Sequence, residues 1–289
     1  MLFVKGEFLG RVIAIVSGKG GVGKTTITAE LGIALAKRNQ KVCVIDADVA
    51  MANLSLLLNM QGSPITLHDV LLGESNVQDA IYDGPQGLKL IPSGLSLENF
   101  RRVDPERLAG IVESISNQFD FVLLDCPAGI EKGVLAAIAS ADEVLLVTMP
   151  TSPAIADVLK AKITAQRLNV KVIGVIVNFV RQEKGEIKFD DIQKLLELPI
   201  FGLVPYDPEI RRTFMYEKLA PLMIREPGSP AAVAIQKTAA KLAGLPVKID
   251  EGKKQGFFSR LFGIFRRKKK SDETVIASKN AKIDSKKNA

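Results

Sequence analysis

Apolar residues recur along the chain in seven short and nearly continuous runs. The runs are RVIAIVSG, KVCVIDAD, LKLIPSG, FDFVLLDCP, EVLLVTMP, KVIGVIVN and PIFGLVP. Continuous apolar runs are typical of strands in a parallel sheet, because helices cover both faces of such a sheet. Each run therefore predicts a buried strand.

Between these runs, apolar residues follow the spacing of amphipathic helices. Helices are predicted near residues 24–38, 105–117, 130–140, 153–168, 188–196 and 229–243. Strands and helices that alternate in this way need right-handed crossovers and build one doubly wound sheet. We therefore predict an α/β fold, with a mostly parallel sheet and helices on both faces, over residues 1–245.

The pattern changes after residue 245. Residues 246–255 predict a linker, residues 256–270 predict an amphipathic helix with a basic face, and the polar residues 271–289 predict a disordered tail. On a helical wheel one arc of the helix is apolar, formed by Phe257, Phe258, Leu261, Phe262, Ile264 and Phe265. Such a helix would bury these side chains at a lipid surface while its cations meet anionic headgroups.

Two other interpretations of this segment are weaker. A final core helix would not be followed directly by a run of basic residues, and nucleic-acid binding explains the charge but not the phenylalanine face. The formal charge of the chain is +7, of which residues 253–270 supply +8 and residues 271–289 supply +1, leaving −2 for residues 1–252. The basic character is therefore in the tail, which argues against nucleic acid as a partner of the globular body.

Cysteine content and the first residues indicate a cytoplasmic protein. The two cysteines, Cys43 and Cys126, lie in apolar runs and form no CxxC pair, which argues against a disulfide scaffold, a zinc ribbon or an iron–sulfur site. The amino-terminal sequence lacks the features of a signal peptide, and the chain has no apolar run long enough to span a membrane. We expect reversible, peripheral binding to the inner face of the cell membrane.

A glycine-rich loop follows the first predicted strand and precedes a predicted helix. It matches GxxxxGK[ST], in which backbone N–H groups and the helix N-terminus surround phosphate oxygens. Lys24 would contribute its charge to the β- and γ-phosphates, and the Thr25 hydroxyl would ligate Mg²⁺. The loop predicts binding of ATP and Mg²⁺ through Gly18, Lys19, Gly20, Gly21, Val22, Gly23, Lys24, Thr25 and Thr26.

Carboxylates end two of the predicted strands. Asp46 and Asp48 end VCVIDAD, and Asp125 ends FVLLD. Ligands of open parallel sheets bind at the carboxyl ends of the strands, so these groups should lie beside the phosphate loop. Asp125 fits a magnesium ligand, and Asp48 is placed to orient an attacking water. For Asp46, a structural role as a strand-end cap or turn residue remains open.

Several motifs together resemble the MinD/ParA family of deviant Walker A ATPases, and its MinD branch in particular. They are SGKGGVGKTT (17–26), DADVAMANL (46–54), LLDCPAGIE (123–131), VNFVR (177–181) and GLVPYDPEIRRT (202–213). The resemblance covers about residues 11–245, and GFFSRLFG resembles the membrane-targeting segment of that branch.

The resemblance implies an ATP-dependent homodimer in which Lys19 reaches the nucleotide of the other subunit. It also implies that Asn178, Pro205 and Asp207 line the adenine pocket. Lys19, Lys24 and Asp48 would then be the catalytic residues of an ATPase that is slow without a protein activator. Such a protein would associate with an anionic membrane and regulate spatial positioning, with the division site as the leading interpretation. The alternatives are a DNA-partitioning ATPase and a regulator of flagellar or archaellar number and placement.

Overall fold

The computed structural model describes residues 10–48, 53–94, 104–129, 131–215 and 220–252. Contacts divide the chain into two units, residues 1–250 and 251–289, and the described strands and helices all belong to the first. The strands are β1 (Arg11–Ser17), β2 (Val42–Asp46), β3 (Tyr82–Asp83), β4 (Lys89–Ile91), β5 (Phe121–Ala128), β6 (Glu143–Thr148), β7 (Lys171–Val180) and β8 (Ile200–Pro205).

Helices lie between and after these strands. The α-helices are α1 (Lys24–Ala36), α2 (Leu54–Leu57), α3 (Leu67–Leu72), α4 (Leu108–Ser116), α5 (Lys132–Ala139), α6 (Ser152–Arg167), α7 (Phe189–Leu196), α8 (Pro208–Met215), α9 (Leu222–Arg225) and α10 (Pro230–Leu242). Three further segments form 3₁₀ turns: Val77–Ala80, Pro85–Gly87 and Pro105–Arg107.

The strands form a single sheet in the order β3-β4-β2-β5-β1-β6-β7-β8. All described pairs are parallel except β3 with β4, which is antiparallel. The predicted α/β fold class is therefore confirmed, and each of the seven predicted strands is present. Strand β3 was not predicted, because two residues at a sheet edge are too few to produce a recognisable pattern.

Two apolar clusters cover the two faces of the sheet. Alternate side chains of β1 contribute to different clusters, Val12, Ala14 and Val16 to one and Ile13 and Ile15 to the other. The first cluster includes residues of α4, α5, α6 and α7, and the second includes residues of α1, α9 and α10. Parallel pairing of β5 with both β1 and β2 places the carboxyl ends of these three strands together at one edge of the sheet, which is where the site lies.

The segment just after α10 is hydrogen-bonded to the body of the first unit. Buried Gln236 donates to the backbone carbonyl of Asp250 at 3.0 Å and accepts from its N–H at 2.6 Å. The Asp250 carboxylate also forms an ion pair with Lys37, one residue beyond α1, and Arg38 donates to the carbonyl of Lys248 at 2.9 Å. Residues 248–250, within the segment predicted as a linker, thus contact α10 and the two residues that follow α1.

Candidate nucleotide-binding site

The phosphate loop joins the end of β1 to the start of α1, and its glycines are needed for two different reasons. Gly21 and Gly23 have φ angles of 80° and 85°, in the left-handed region that favours glycine. A Cβ atom at Gly18 would lie 2.1 Å from the backbone carbonyl carbon of Asp157 in α6, whereas a Cβ atom at Gly20 would have no described atom within 4 Å. The loop is therefore closely packed at its start and open at its centre.

A buried ion pair connects the loop to the sheet. Lys24 and Asp125 are 7% and 1% exposed, and the lysine Nζ lies 2.7 Å from Asp125 Oδ1. Burial is the largest single influence on the pKa of Lys24 and lowers it, but the charge and hydrogen bond of Asp125, together with the charges of Cys126 and Asp48, raise the pKa above its usual value. The other carboxylate oxygen, Oδ2, is buried and has no hydrogen-bond partner among the described residues. An oxygen in this position fits a metal ligand.

Asp46 lies beside Asp125 on the neighbouring strand, in direct register. It is fully buried and accepts the backbone N–H groups of Asp48 and Leu54, both at 3.2 Å. Burial and the charge of Asp125 raise its pKa well above the usual value, because both disfavour the charged carboxylate. These contacts favour a structural role for Asp46, because its carboxyl group accepts hydrogen bonds from the backbone at residues 48 and 54.

The remaining predicted loop residues lie around this pair. Lys24 Nζ also approaches the Thr25 hydroxyl, at 3.4 Å, and Asp48 is close enough for its charge to raise the pKa of Lys24. The Lys19 carbonyl accepts a hydrogen bond from the Ser17 hydroxyl at 3.1 Å, and the Lys19 side chain is partly exposed. The structure thus brings Lys24, Thr25, Asp48 and Asp125 together, while Lys19 lies on the outer part of the loop.

A cavity of about 360 Å³ opens beside the loop, within the size range of small-molecule sites. Its lining residues are Gly21, Gly23, Thr26, Asn178, Phe179, Tyr206, Asp207, Ile210 and Arg211. Asn178 donates to the Val22 carbonyl at 2.9 Å, and Asp207 accepts the N–H of Glu209 at 2.9 Å. Asn178 Oδ1 and Asp207 Oδ2 are buried, with no hydrogen-bond partner among the described residues. Each therefore offers a polar atom to a ligand.

The cavity wall contains two of the three residues that the resemblance assigns to an adenine pocket. Asn178 and Asp207 line the cavity, whereas Pro205 ends β8 and is not among the lining residues. The aromatic side chains of Phe179 and Tyr206 do line it, and their ring centroids are 6.3 Å apart. Phe179 directly follows Asn178 in VNFVR, and Tyr206 directly follows Pro205 in VPYDP. The aromatic residues within these two motifs could therefore have been predicted as part of the cavity wall.

The chemistry of these groups fits a nucleotide with a divalent cation. Glycines leave the centre of the loop open for phosphates, and Lys24 supplies a positive charge beside it. The buried Asp125 Oδ2 and the Thr25 hydroxyl are oxygens of the kind that ligate Mg²⁺. The predicted membrane-binding residues Phe257, Phe258, Leu261, Phe262, Ile264 and Phe265 lie outside the described residues. Within the described part of the chain, none of the helices has the length and apolar character that crossing a membrane requires.

A family model described as the CobQ/CobB/MinD/ParA nucleotide binding domain matches residues 13–220. The chain belongs to this MinD/ParA family. An ATP-binding protein of Methanocaldococcus jannaschii is 46% identical over 258 residues, which cover 89% of this chain and 97% of that protein.

Two archaeal MinD structures share the fold. The cell division ATPase MinD of Pyrococcus furiosus has a TM-score of 0.78 and 37% identity, covering 82% of this chain and 100% of that one. The septum site-determining protein MinD of Pyrococcus horikoshii, solved with Mg-ADP, has a TM-score of 0.77 and 35% identity, covering 81% and 96%. The predicted P-loop ATPase fold of the MinD/ParA family and its cofactors, ATP and Mg²⁺, are thus confirmed at the level of the family.

Proposed function

We propose that this MinD/ParA family member is a MinD-like ATPase that uses ATP binding to control dimerisation and membrane attachment, and so regulates positioning of the division site. The observation that carries the proposal is the buried Lys24–Asp125 pair at the phosphate loop. It lies next to a cavity in which oxygens of Asn178 and Asp207 have no hydrogen-bond partner in the described part of the chain. Identity of 35–37% to the two archaeal MinD structures supports the choice of this branch of the family.

Each side chain of the site has a distinct proposed role. The backbone N–H groups of residues 18–26 cradle the phosphates, and Lys24 exchanges its carboxylate partner for phosphate oxygens. Thr25 and Asp125 hold Mg²⁺, which neutralises charge on the transferred phosphoryl group. Asp48 orients the attacking water, and Asn178 and Asp207 contact the base from the cavity wall. In the proposed dimer, the partly exposed Lys19 reaches the site of the second subunit.

The attachment step would depend on residues 256–270. A single amphipathic helix binds a membrane weakly, and two helices held in one dimer bind more tightly by effective concentration. ATP binding would therefore favour the membrane-bound state, and hydrolysis would release it. A protein activator or cargo completes the proposed cycle. The charge of −2 on residues 1–252 makes DNA the less favourable surface.

Sedimentation with vesicles of phosphatidylglycerol and phosphatidylcholine tests this cycle. We expect the full chain to pellet with Mg-ATP and to remain in the supernatant with Mg-ADP. Substitution of Phe258 and Phe262 by Glu should abolish pelleting, whereas the control Val275→Glu adds charge outside the predicted helix and should not. Pelleting that is independent of nucleotide would refute the switch. Retention on DNA in place of vesicles would favour the partitioning alternative.

Hydrolysis is tested by phosphate release from Mg-ATP. We expect slow turnover by the wild-type protein and none above background by Asp48→Ala, which should still bind ADP and ATP because Asp48 does not hold the phosphates. Equal turnover by wild type and Asp48→Ala would remove Asp48 from its proposed role.

A further inference from the structure

Thr28 makes a contact that an ordinary helical threonine does not make. It is fully buried in α1, one turn after Lys24, and its hydroxyl lies 3.0 Å from the Lys24 carbonyl. Helical threonines commonly donate to this carbonyl, four residues earlier in the chain. The same hydroxyl also lies 3.1 Å from Asp125 Oδ1, so a charged acceptor competes for its proton. Hydrogen bonds to charged groups are the stronger ones, which favours the carboxylate.

The two oxygens of Asp125 consequently have different surroundings. Oδ1 accepts from Lys24 Nζ at 2.7 Å and from Thr28 Oγ1 at 3.1 Å. Oδ2 is buried without a hydrogen-bond partner among the described residues. Rotation of the carboxylate would exchange the two oxygens, and the donors on Oδ1 oppose that rotation.

We propose that Thr28 is a positioning residue that keeps Asp125 Oδ2 directed to the metal when Lys24 leaves the carboxylate. This inference rests on the proposed function, specifically on Asp125 as a magnesium ligand. Lys24 has a competing partner in the nucleotide phosphates. The Thr28 hydroxyl is fully buried, and its other acceptor among the described residues is the Lys24 carbonyl, so it remains as a donor to Oδ1 when Lys24 leaves. Groups that orient a metal ligand in this way typically change metal affinity by 10- to 100-fold when removed.

Another threonine provides a matched control. Thr238 is also buried within a helix, α10, and its hydroxyl donates to the carbonyl of Ala234 at 2.9 Å. Its hydroxyl has no carboxylate contact among the described hydrogen bonds. Thr28→Val and Thr238→Val therefore remove the same kind of buried helix hydrogen bond, but only the first also removes a donor from Asp125.

The experiment measures ADP binding by calorimetry to the full-length protein, first with chelator and then over a series of Mg²⁺ concentrations. We expect Thr28→Val to bind metal-free ADP as the wild type does, but to need roughly ten-fold or more Mg²⁺ for the same gain in affinity. Thr28→Ser, which keeps the hydroxyl, should restore the wild-type magnesium requirement. Thr238→Val should leave it unchanged.

Other outcomes overturn the inference. A wild-type magnesium requirement in Thr28→Val, or an equal loss of affinity for ADP with and without Mg²⁺, would show that Thr28 only supports the helix. Thr28→Ala gives the same comparison if the valine variant does not fold. A wild-type protein that binds no ADP under either condition would instead refute the proposed function, so the two failures are distinguishable.

Discussion

A buried glutamate in the nucleotide-loop helix should make the stability of this protein depend on pH. Glu30 in α1 is 3% exposed, and its two oxygens accept the N–H groups of Leu222 at 2.7 Å and Met223 at 2.8 Å. Burial raises the pKa of Glu30 from 4.5 to about 7, although the two hydrogen bonds and the charge of Arg225 lower it in part. The neutral acid is therefore the favoured form in the folded protein below neutral pH.

The sign of the effect follows from proton uptake. Between pH 4.5 and about 7 the folded state holds a proton on Glu30 that the unfolded state has lost. The stability gained from this proton is complete below pH 4.5 and is lost as the pH rises through about 7. The difference between the two pKa values corresponds to about 3 kcal/mol of unfolding free energy.

Urea unfolding of the wild type and Glu30→Gln at several pH values from 5 to 8.5 measures this contribution. The glutamine cannot titrate, so its lost acceptor lowers stability equally at every pH. We expect the wild-type advantage over Glu30→Gln to shrink by about 2.5 kcal/mol between pH 5 and 8.5, because this range begins just above the unfolded-state pKa of 4.5. Glu113→Gln, on an exposed position of α4, is the control and should run parallel to the wild type. Identical pH dependence of the wild type and Glu30→Gln would refute this account of the buried carboxyl group.

Two further predictions concern buried polar contacts. Lys24→Met should destabilise the nucleotide-free protein by about 3–5 kcal/mol in urea unfolding, because it leaves the charge of Asp125 buried without a positive partner. The double variant with Asp125→Asn should recover most of the loss, and a double variant no more stable than the single one would contradict this. Gln236→Ala should accelerate amide hydrogen exchange at Asp250 and lower the free energy of unfolding by about 2 kcal/mol. The control Gln166→Ala, at an exposed position, should change neither quantity. Unchanged exchange at Asp250 would show that other contacts hold residues 248–250 in place.

The sequence predicted those parts of the molecule that depend on neighbouring residues. Apolar runs located seven strands, and the glycine loop with its flanking strand and helix located the phosphate site. The helices α3 and α9 were missed because four to six residues carry little periodicity. Contacts between residues distant in the chain were also missed, such as Glu30 with the start of α9 and Thr28 with Asp125. They depend on how helices pack against the sheet, which no local pattern encodes.

The two kinds of glycine in the phosphate loop imply two kinds of selection on neighbouring codons. At Gly18 a side chain would collide with the backbone of α6, so variants at this position should misfold whether or not a ligand is present. At Gly20 the described surroundings leave room for a side chain, so folding alone would tolerate substitution there and only the ligand excludes it. A library screened for soluble expression would therefore keep variation at position 20 and lose it at position 18. Comparing that screen with one for nucleotide binding would separate the loop residues that folding requires from those that nucleotide binding requires.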